Sequence, residues 1–186
     1  MKTLAITLFT LVLCVCSYAQ TPEEMKAWEE SMTPNEHHKW LASFDGEWIG
    51  EVKMWMDPSL PPSVSKIKTK NEMIMNGLYQ RSTHAGEMMG KPFNGEGMMG
   101  FDNTKKKFVS TWIDNMGSGI MYMEGSMVEG EKILTTYGEM SDPMSGETIT
   151  VKQVLKVIDD DTHIFEMYMI IGDNETKTME IMYKRN

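Results

Sequence analysis

From Glu47 to Asn186, apolar and polar residues alternate with a period of two, in segments of about ten residues separated by turn signals. The signals are Asn76-Gly77, Asn94-Gly95, Asp102-Asn103, Gly117-Ser118-Gly119, Glu129-Gly130, Ser145-Gly146, Asp159-Asp160 and Asp173-Asn174. The spacing predicts an all-β chain of about ten antiparallel strands in a meander. No helical pattern falls between the strands, so a sheet this long is expected to curl into a closed barrel, which removes its exposed edges. The longest connection, Asp57-Pro58-Ser59-Leu60-Pro61-Pro62, is stiff with proline. It reads either as a lid over a barrel mouth or as a rigid crossover.

Before Glu47 the pattern is helical. Thr21-Pro22-Glu23-Glu24 starts one helix, with Met25, Trp28 and Met32 on one side among glutamates, and reads as a surface arm over residues 20–35. Thr33-Pro34-Asn35-Glu36 carries an N-cap, an N1 proline and an N3 glutamate for a second, whose apolar face is Trp40, Leu41 and Phe44.

Residues opposite each other in an antiparallel pair share a face, so each turn predicts which side chains meet. A two-residue Asn76-Gly77 turn pairs Met75 with Leu78, Met73 with Gln80 and Thr69 with His84. Glu72 then meets Arg81 on the other face, beside Lys68 and Lys70, which reads as an outer surface. A turn over Met116 to Gly119 pairs Asp114 with Met121, Trp112 with Met123 and Phe108 with Met127; this set is the more apolar and is the expected inner face. Around Asp173-Asn174, Met169 pairs with Thr178, Met167 with Glu180 and Phe165 with Met182, and Glu180 becomes an interior carboxylate if the methionine face is inside.

His38-Lys39-Trp40-Leu41 leading to Gly46-Glu47-Trp48, then "GMMGFDNTKKKFVSTWIDNMGSG", then "MEIMYKR" resemble a bacterial family known as domain of unknown function 1579, a calycin-like relative of the lipocalins. The likeness runs from about Glu36 to Arg185, and Trp112 to Gly117 is its most specific portion. It implies a single barrel over residues 36–186, a short N-terminal helix capping one end, and Trp48 at the base; Gly46 is read as structural, and His38 as a capping contact against the barrel. It implies no reaction. The chain departs from the family pattern by placing methionine where Leu, Val or Ile is usual.

Composition adds a compartment. Lys2, the apolar run from Leu4 to Val15, and Ser17-Tyr18-Ala19 fit a secretory leader over residues 1–19, cleaved near Ala19, so the expected location is periplasmic or secreted. Both cysteines, Cys14 and Cys16, leave with it, and 167 of the 186 residues remain. The fold must then be held by its core alone. Loss of Lys2 moves the formal charge from −9 to −10, which with only Lys105, Lys106 and Lys107 as a basic run makes nucleic acid and anionic membrane poor partners. No stretch approaches the ~20 apolar residues of a membrane-spanning helix. The oligomeric state has no sequence signature.

The 21 methionines include the pairs Met54/Met56, Met73/Met75, Met121/Met123 and Met167/Met169. Thioether pairs on one strand face favour Cu(I) in principle, but methionine is also an adaptable filler of cores and pockets, and no dense Met–His cluster occurs in the chain. His37 and His38 point about 100° apart on a helix. His84 reads as a core histidine or a ligand contact, and Asp114 as a turn holder or a ligand contact. The mature chain has no thiol, no Gly-x-Ser-x-Gly, no His-Glu-x-x-His and no phosphate loop. The expectation is therefore a small, largely apolar or amphipathic ligand in a methionine-rich cavity, contacted by Trp112, Asp114, His84, Gln80, Met73, Met75, Met121, Met123 and Glu180, with no cofactor and no metal. The alternatives are Cu(I) handling by the Met-x-Met pairs, or a weak hydrolase or isomerase built on Asp114, Glu180 and His84.

Overall fold

Ten antiparallel strands, each paired to the next in the chain, close on themselves because the first also pairs with the last. They are β1 (Gly46–Met54), β2 (Ser63–Ile74), β3 (Tyr79–Met88), β4 (Lys91–Asp102), β5 (Lys107–Asp114), β6 (Met121–Met127), β7 (Ile133–Ser141), β8 (Thr148–Asp159), β9 (Thr162–Ile171) and β10 (Asn174–Arg185). The structure is a computed structural model describing residues 21–128, 130–142 and 145–186. The leader reading, on residues 1–19, lies outside them. No helix among the described residues is long and apolar enough to cross a membrane.

Helix α1 (Pro22–Ser31) opens with the expected capping box: Glu24 N donates to Thr21 Oγ1 and Thr21 N to Glu24 Oε2. It buries no residue, and the Asn103 amide ties down its C-terminal end by donating to the carbonyls of Glu30, Ser31 and Thr33. Helix α2 (Glu36–Ala42) starts two residues later than the sequence predicts. Asn35 is its N-cap, accepting from His37 N, while the Thr33 hydroxyl closes the preceding helix on Glu29 O. An asparagine at the cap satisfies the orphan first-turn amides as well as threonine does.

Helix α2 plugs the end of the barrel where β1 begins and β10 ends. Leu41 (1% exposed) and Phe44 (6%) enter between the sheet walls and pack against Trp48, Phe101, Phe108 and Leu134. Trp48 Nε1 donates to Phe44 O at 2.8 Å, and the Arg185 guanidinium lies 4.2 Å over the indole. Arg185 also donates to the carbonyls of Ser43 and Asp45. Gly46 enters β1 at φ +116, a conformation that a side chain would strain, and an added Cβ would press the Arg185 guanidinium at 3.3 Å.

At the other end lie the proline-rich connection between β1 and β2 and the β3–β4, β5–β6, β7–β8 and β9–β10 connections. The sequence places the β3–β4 turn at Asn94-Gly95; it is Met89-Gly90, both at positive φ, and Asn94-Gly95 continues inside β4. The reason lies in the interior: the Trp112 ring occupies the space a side chain at position 95 would need.

Candidate functional site

One row of inward residues crosses six strands, Asp114–Gly95–His84–Thr69–Trp48–Arg185, each directly opposite the next. Trp112 lies beside this row because β4 offers it glycines: a Cβ on Gly95 would stand 2.5 Å from Trp112 Cζ2, and one on Gly97 3.3 Å from Cε3. The indole Nε1 donates to Asp114 Oδ2 at 2.7 Å, and the ring meets His84 edge to face at 4.9 Å. The other Asp114 oxygen accepts from Met116 N at 2.8 Å. Asp114 thus holds its turn and aims Trp112 at once, and the turn contact is the Met116 amide.

His84 Nδ1 is 2.8 Å from Thr69 Oγ1, within hydrogen-bond distance. Burial lowers the His84 pKa from 6.5 to about 4, so the ring is neutral at pH 7. His163, at the sealed end, lies between Trp48 at 4.4 Å and Tyr183 at 4.7 Å. Burial first, then the Arg185 charge, lowers its pKa to about 4, and its Nδ1 is sealed without a hydrogen-bond partner. His38 Nδ1 accepts from Asn35 N at 3.0 Å, which leaves its proton on Nε2, sealed and facing the Phe101 carbonyl without a well-formed hydrogen bond. Burial and neighbouring His37 lower its pKa, against the Phe101 carbonyl.

Inward residues divide by exposure. Those near α2 are closed off, whereas Trp112, Met121, Gln153, Met167, Met169 and Met179 face inward yet stay half-buried. They curve along β5, β6, β8, β9 and β10 toward the end opposite α2, and among the described residues Gln153 Nε2 has only the Met121 sulfur as partner, at 3.9 Å. Among the described residues the sealed, unpartnered side-chain polar atoms are His38 Nε2 and His163 Nδ1 alone, so the Gln153 amide and His84 Nε2 reach open space.

Other sequence-stated contacts fall elsewhere. Met75 belongs to a short 3-10 turn (Met75–Gly77) and is 68% exposed, because the β2–β3 connection spans four residues; Met73 does oppose Gln80. Gln80 donates to Leu41 O and Asp45 Oδ1, pinning α2 rather than facing the half-buried wall. Met73 packs with the α2 cluster. The β5–β6 register differs by two from the tight-turn reading, since the loop runs over 115–120: Met121 opposes Trp112 and Met123 opposes Ser110. Two is an even shift, so the face is unchanged. Met123 is 1% exposed, its sulfur over Gly138, and is core. Glu180 lies on the outer wall, bound to Lys53 at 3.2 Å and Lys177 at 3.1 Å, because a bulge between Lys177 and Met179 flips its parity. The Met54/Met56 and Met73/Met75 pairs are split, Met56 being 78% exposed, while Met167 and Met169 both face in. No group of three His, Cys, Asp or Glu side chains among the described residues could hold a metal ion.

Sequence reasoning passed over Gln153, although its position between Val151 and Leu155 on an otherwise apolar face marks it as an interior polar group. A concavity of about 700 Å³ opens among the outward residues Glu47, Lys68, Lys70, Thr83, Glu96 and Ile113, and Trp48, Thr69, His84, Gly95 and Asp114 of the inward row also line it. The Trp112 ring and the methionines are not part of its lining.

A family model described as "Protein of unknown function (DUF1579)" matches residues 33–185. The chain belongs to this family. Among solved structures, this DUF1579 protein is similar to the crystal structure of Rv2717c from M. tuberculosis, at 12% sequence identity and a TM-score of 0.58, over 83% of this chain and 99% of that one. At that identity the likeness concerns the fold. No curated protein matches the chain.

Proposed function

We propose that this DUF1579 protein is an exported binding protein that takes a small, largely apolar molecule into its barrel through the end opposite α2. The observation that carries the reading is the half-buried set Trp112, Met121, Gln153, Met167, Met169 and Met179 inside a barrel whose other end is closed. Apolar walls with a few convergent polar groups suit small-molecule capture, burial supplying affinity and the polar groups orientation. Thioether chains re-pack readily, so such a wall tolerates ligands of several shapes. Export rests on the leader reading of residues 1–19.

The test uses protein labelled with ¹³C at its methionine methyls and titrated with 2-octanone, a small apolar probe. Methyls of Met121, Met167, Met169 and Met179 are expected to shift together and saturate, while exposed Met25 and Met56 stay fixed. Shifts confined to exposed methionines, or none, would remove the reading.

A further inference from the structure

We infer that Gln153 and Thr136 form a two-residue polar subsite in the wall of the cavity, suited to an uncharged head group that both donates and accepts a hydrogen bond, as the carboxamide of a fatty amide does. The inference deepens the cavity reading and rests on it. It starts from a second row of directly opposed inward residues, Phe108–Gly125–Thr136–Gln153–Met167–Met179, which crosses β5 to β10.

Thr136 and Gln153 are the polar side chains of that row, and they stand opposite each other on β7 and β8. Thr136 is 3% exposed, yet its hydroxyl makes no hydrogen bond among the described residues and is not sealed. The hydroxyl therefore opens on the interior. Directly across, the Gln153 amide nitrogen has the Met121 sulfur at 3.9 Å, a weak acceptor, and the amide oxygen has no partner among the described residues. Enclosed polar groups as a rule find hydrogen-bond partners. Two that lack one, side by side between phenylalanine and glycine on one flank and methionines on the other, point to a partner from outside the chain.

The chemistry of the pair sets the ligand class. A side-chain amide presents N–H donors and a carbonyl acceptor in one plane, so a ligand carboxamide meets both at once, its carbonyl accepting from Gln153 Nε2 and its N–H donating to Gln153 Oε1. The Thr136 hydroxyl, a donor and an acceptor, is free for the group that remains. A ketone meets the donor alone and leaves Oε1 as it is. Charge disfavours a carboxylate: no cation stands among the half-buried residues of this wall, and Asp114, hydrogen bonded to the Trp112 that opposes Met121, adds repulsion. Met167 and Met179 continue the row beyond Gln153, so a chain attached to the head group lies against thioether.

Octanamide, 2-octanone and octanoate are the probes, read at pH 7.5 by the methionine methyls and by the side-chain ¹H–¹⁵N amide resonances of Gln153. In the wild type, octanamide is expected to shift the Met121 and Met167 methyls and the Gln153 amide with one common midpoint, and to bind more tightly than octanoate. Interior methyls that move while the Gln153 amide stays fixed overturn the inference and leave the cavity standing. Octanoate binding as tightly as octanamide does the same. In Gln153→Met, which removes the amide and extends the thioether wall, the preference for octanamide over 2-octanone is expected to fall about five- to tenfold, the worth of one net hydrogen bond. In Thr136→Val it is expected to fall less. An unchanged preference in Gln153→Met also overturns the subsite, and should that variant fail to fold, the wild-type amide resonances decide. Failure of every probe to move an interior methyl removes the cavity and the inference together.

Discussion

Gly95→Ala tests how the candidate site is assembled. An added Cβ would lie 2.5 Å from Trp112 Cζ2 and 2.6 Å from Cη2, closer than carbon atoms can approach, and in tight contact with Phe93 Cζ at 3.3 Å. Phe93 is 4% exposed and stacked on the indole, so the ring cannot retreat toward the Phe93 side. Trp112 must swing toward the interior, pulling Nε1 from Asp114. Overpacking costs about 1–3 kcal/mol, and losing a hydrogen bond to a carboxylate about 1.5–3 kcal/mol. Alanine's lower unfolded-state freedom offsets roughly 0.5–1 kcal/mol of this. The net loss should be roughly 2–4 kcal/mol, a fall of about 1–2 M in urea midpoint for a domain of this size. Equilibrium urea unfolding followed by circular dichroism measures it. The same substitution in a Trp112→Ala background should be neutral or stabilising, because the clash has gone. Equal destabilisation in both backgrounds would refute the seating of Trp112 on Gly95.

Three further outcomes follow from the same contacts. Asp114→Asn keeps the shape but can accept from only one of Trp112 Nε1 and Met116 N with its single amide oxygen, so it should lower stability by about 1.5–3 kcal/mol in thermal or urea melts; an unchanged melting curve would count against the dual role. His84 and His163, each shifted from 6.5 to about 4, bind fewer protons folded than unfolded, so stability should decline as pH falls from about 6.5 to about 4, by roughly 3 kcal/mol for each ring. His163→Phe should flatten that decline by about half, read from urea midpoints across the range, and an unaltered slope would refute the assignment. On the outer wall burial pushes Glu166 up, but hydrogen bonds from Lys156, Lys177 and Tyr168 outweigh it and hold its pKa at about 2. Its contribution is present above about 4.5 and is lost as pH falls toward 2. The cover over Glu166 is flexible lysine stem, so Glu166→Gln should cost about 1–3 kcal/mol at pH 7 and little at pH 2.

The barrel was legible because period-two alternation survives across ten strands without a helix between them, and because Thr69–His84 and Met73–Gln80 pair as the Asn76-Gly77 turn implies. Faces were legible wherever register errors were even. Glu180 escaped because a single bulged residue in β10 inverts parity, and nothing in "ETKTMEI" marks where the extra residue sits. Asn94-Gly95 misled for an instructive reason. Glycine is a turn signal by its conformational freedom, yet here its value is the absence of a side chain beneath an indole. The Trp112–Asp114 contact could not be read from spacing alone, since i and i+2 share a strand face whether or not their side chains touch. Gln80 and Met73 share the inner face with the candidate site, but alternation does not say how far along the barrel axis a residue lies, and these two sit at the end that α2 fills.

The central claim is that an apolar molecule enters the interior of the barrel, and an anomalous-scattering experiment decides it most directly. Crystals soaked with 8-bromo-2-octanone should show a bromine peak inside the barrel among Met121, Met167 and Met169. An interior without bromine density, with the peak instead in the outer concavity beside Lys68 and Ile113, would contradict the account.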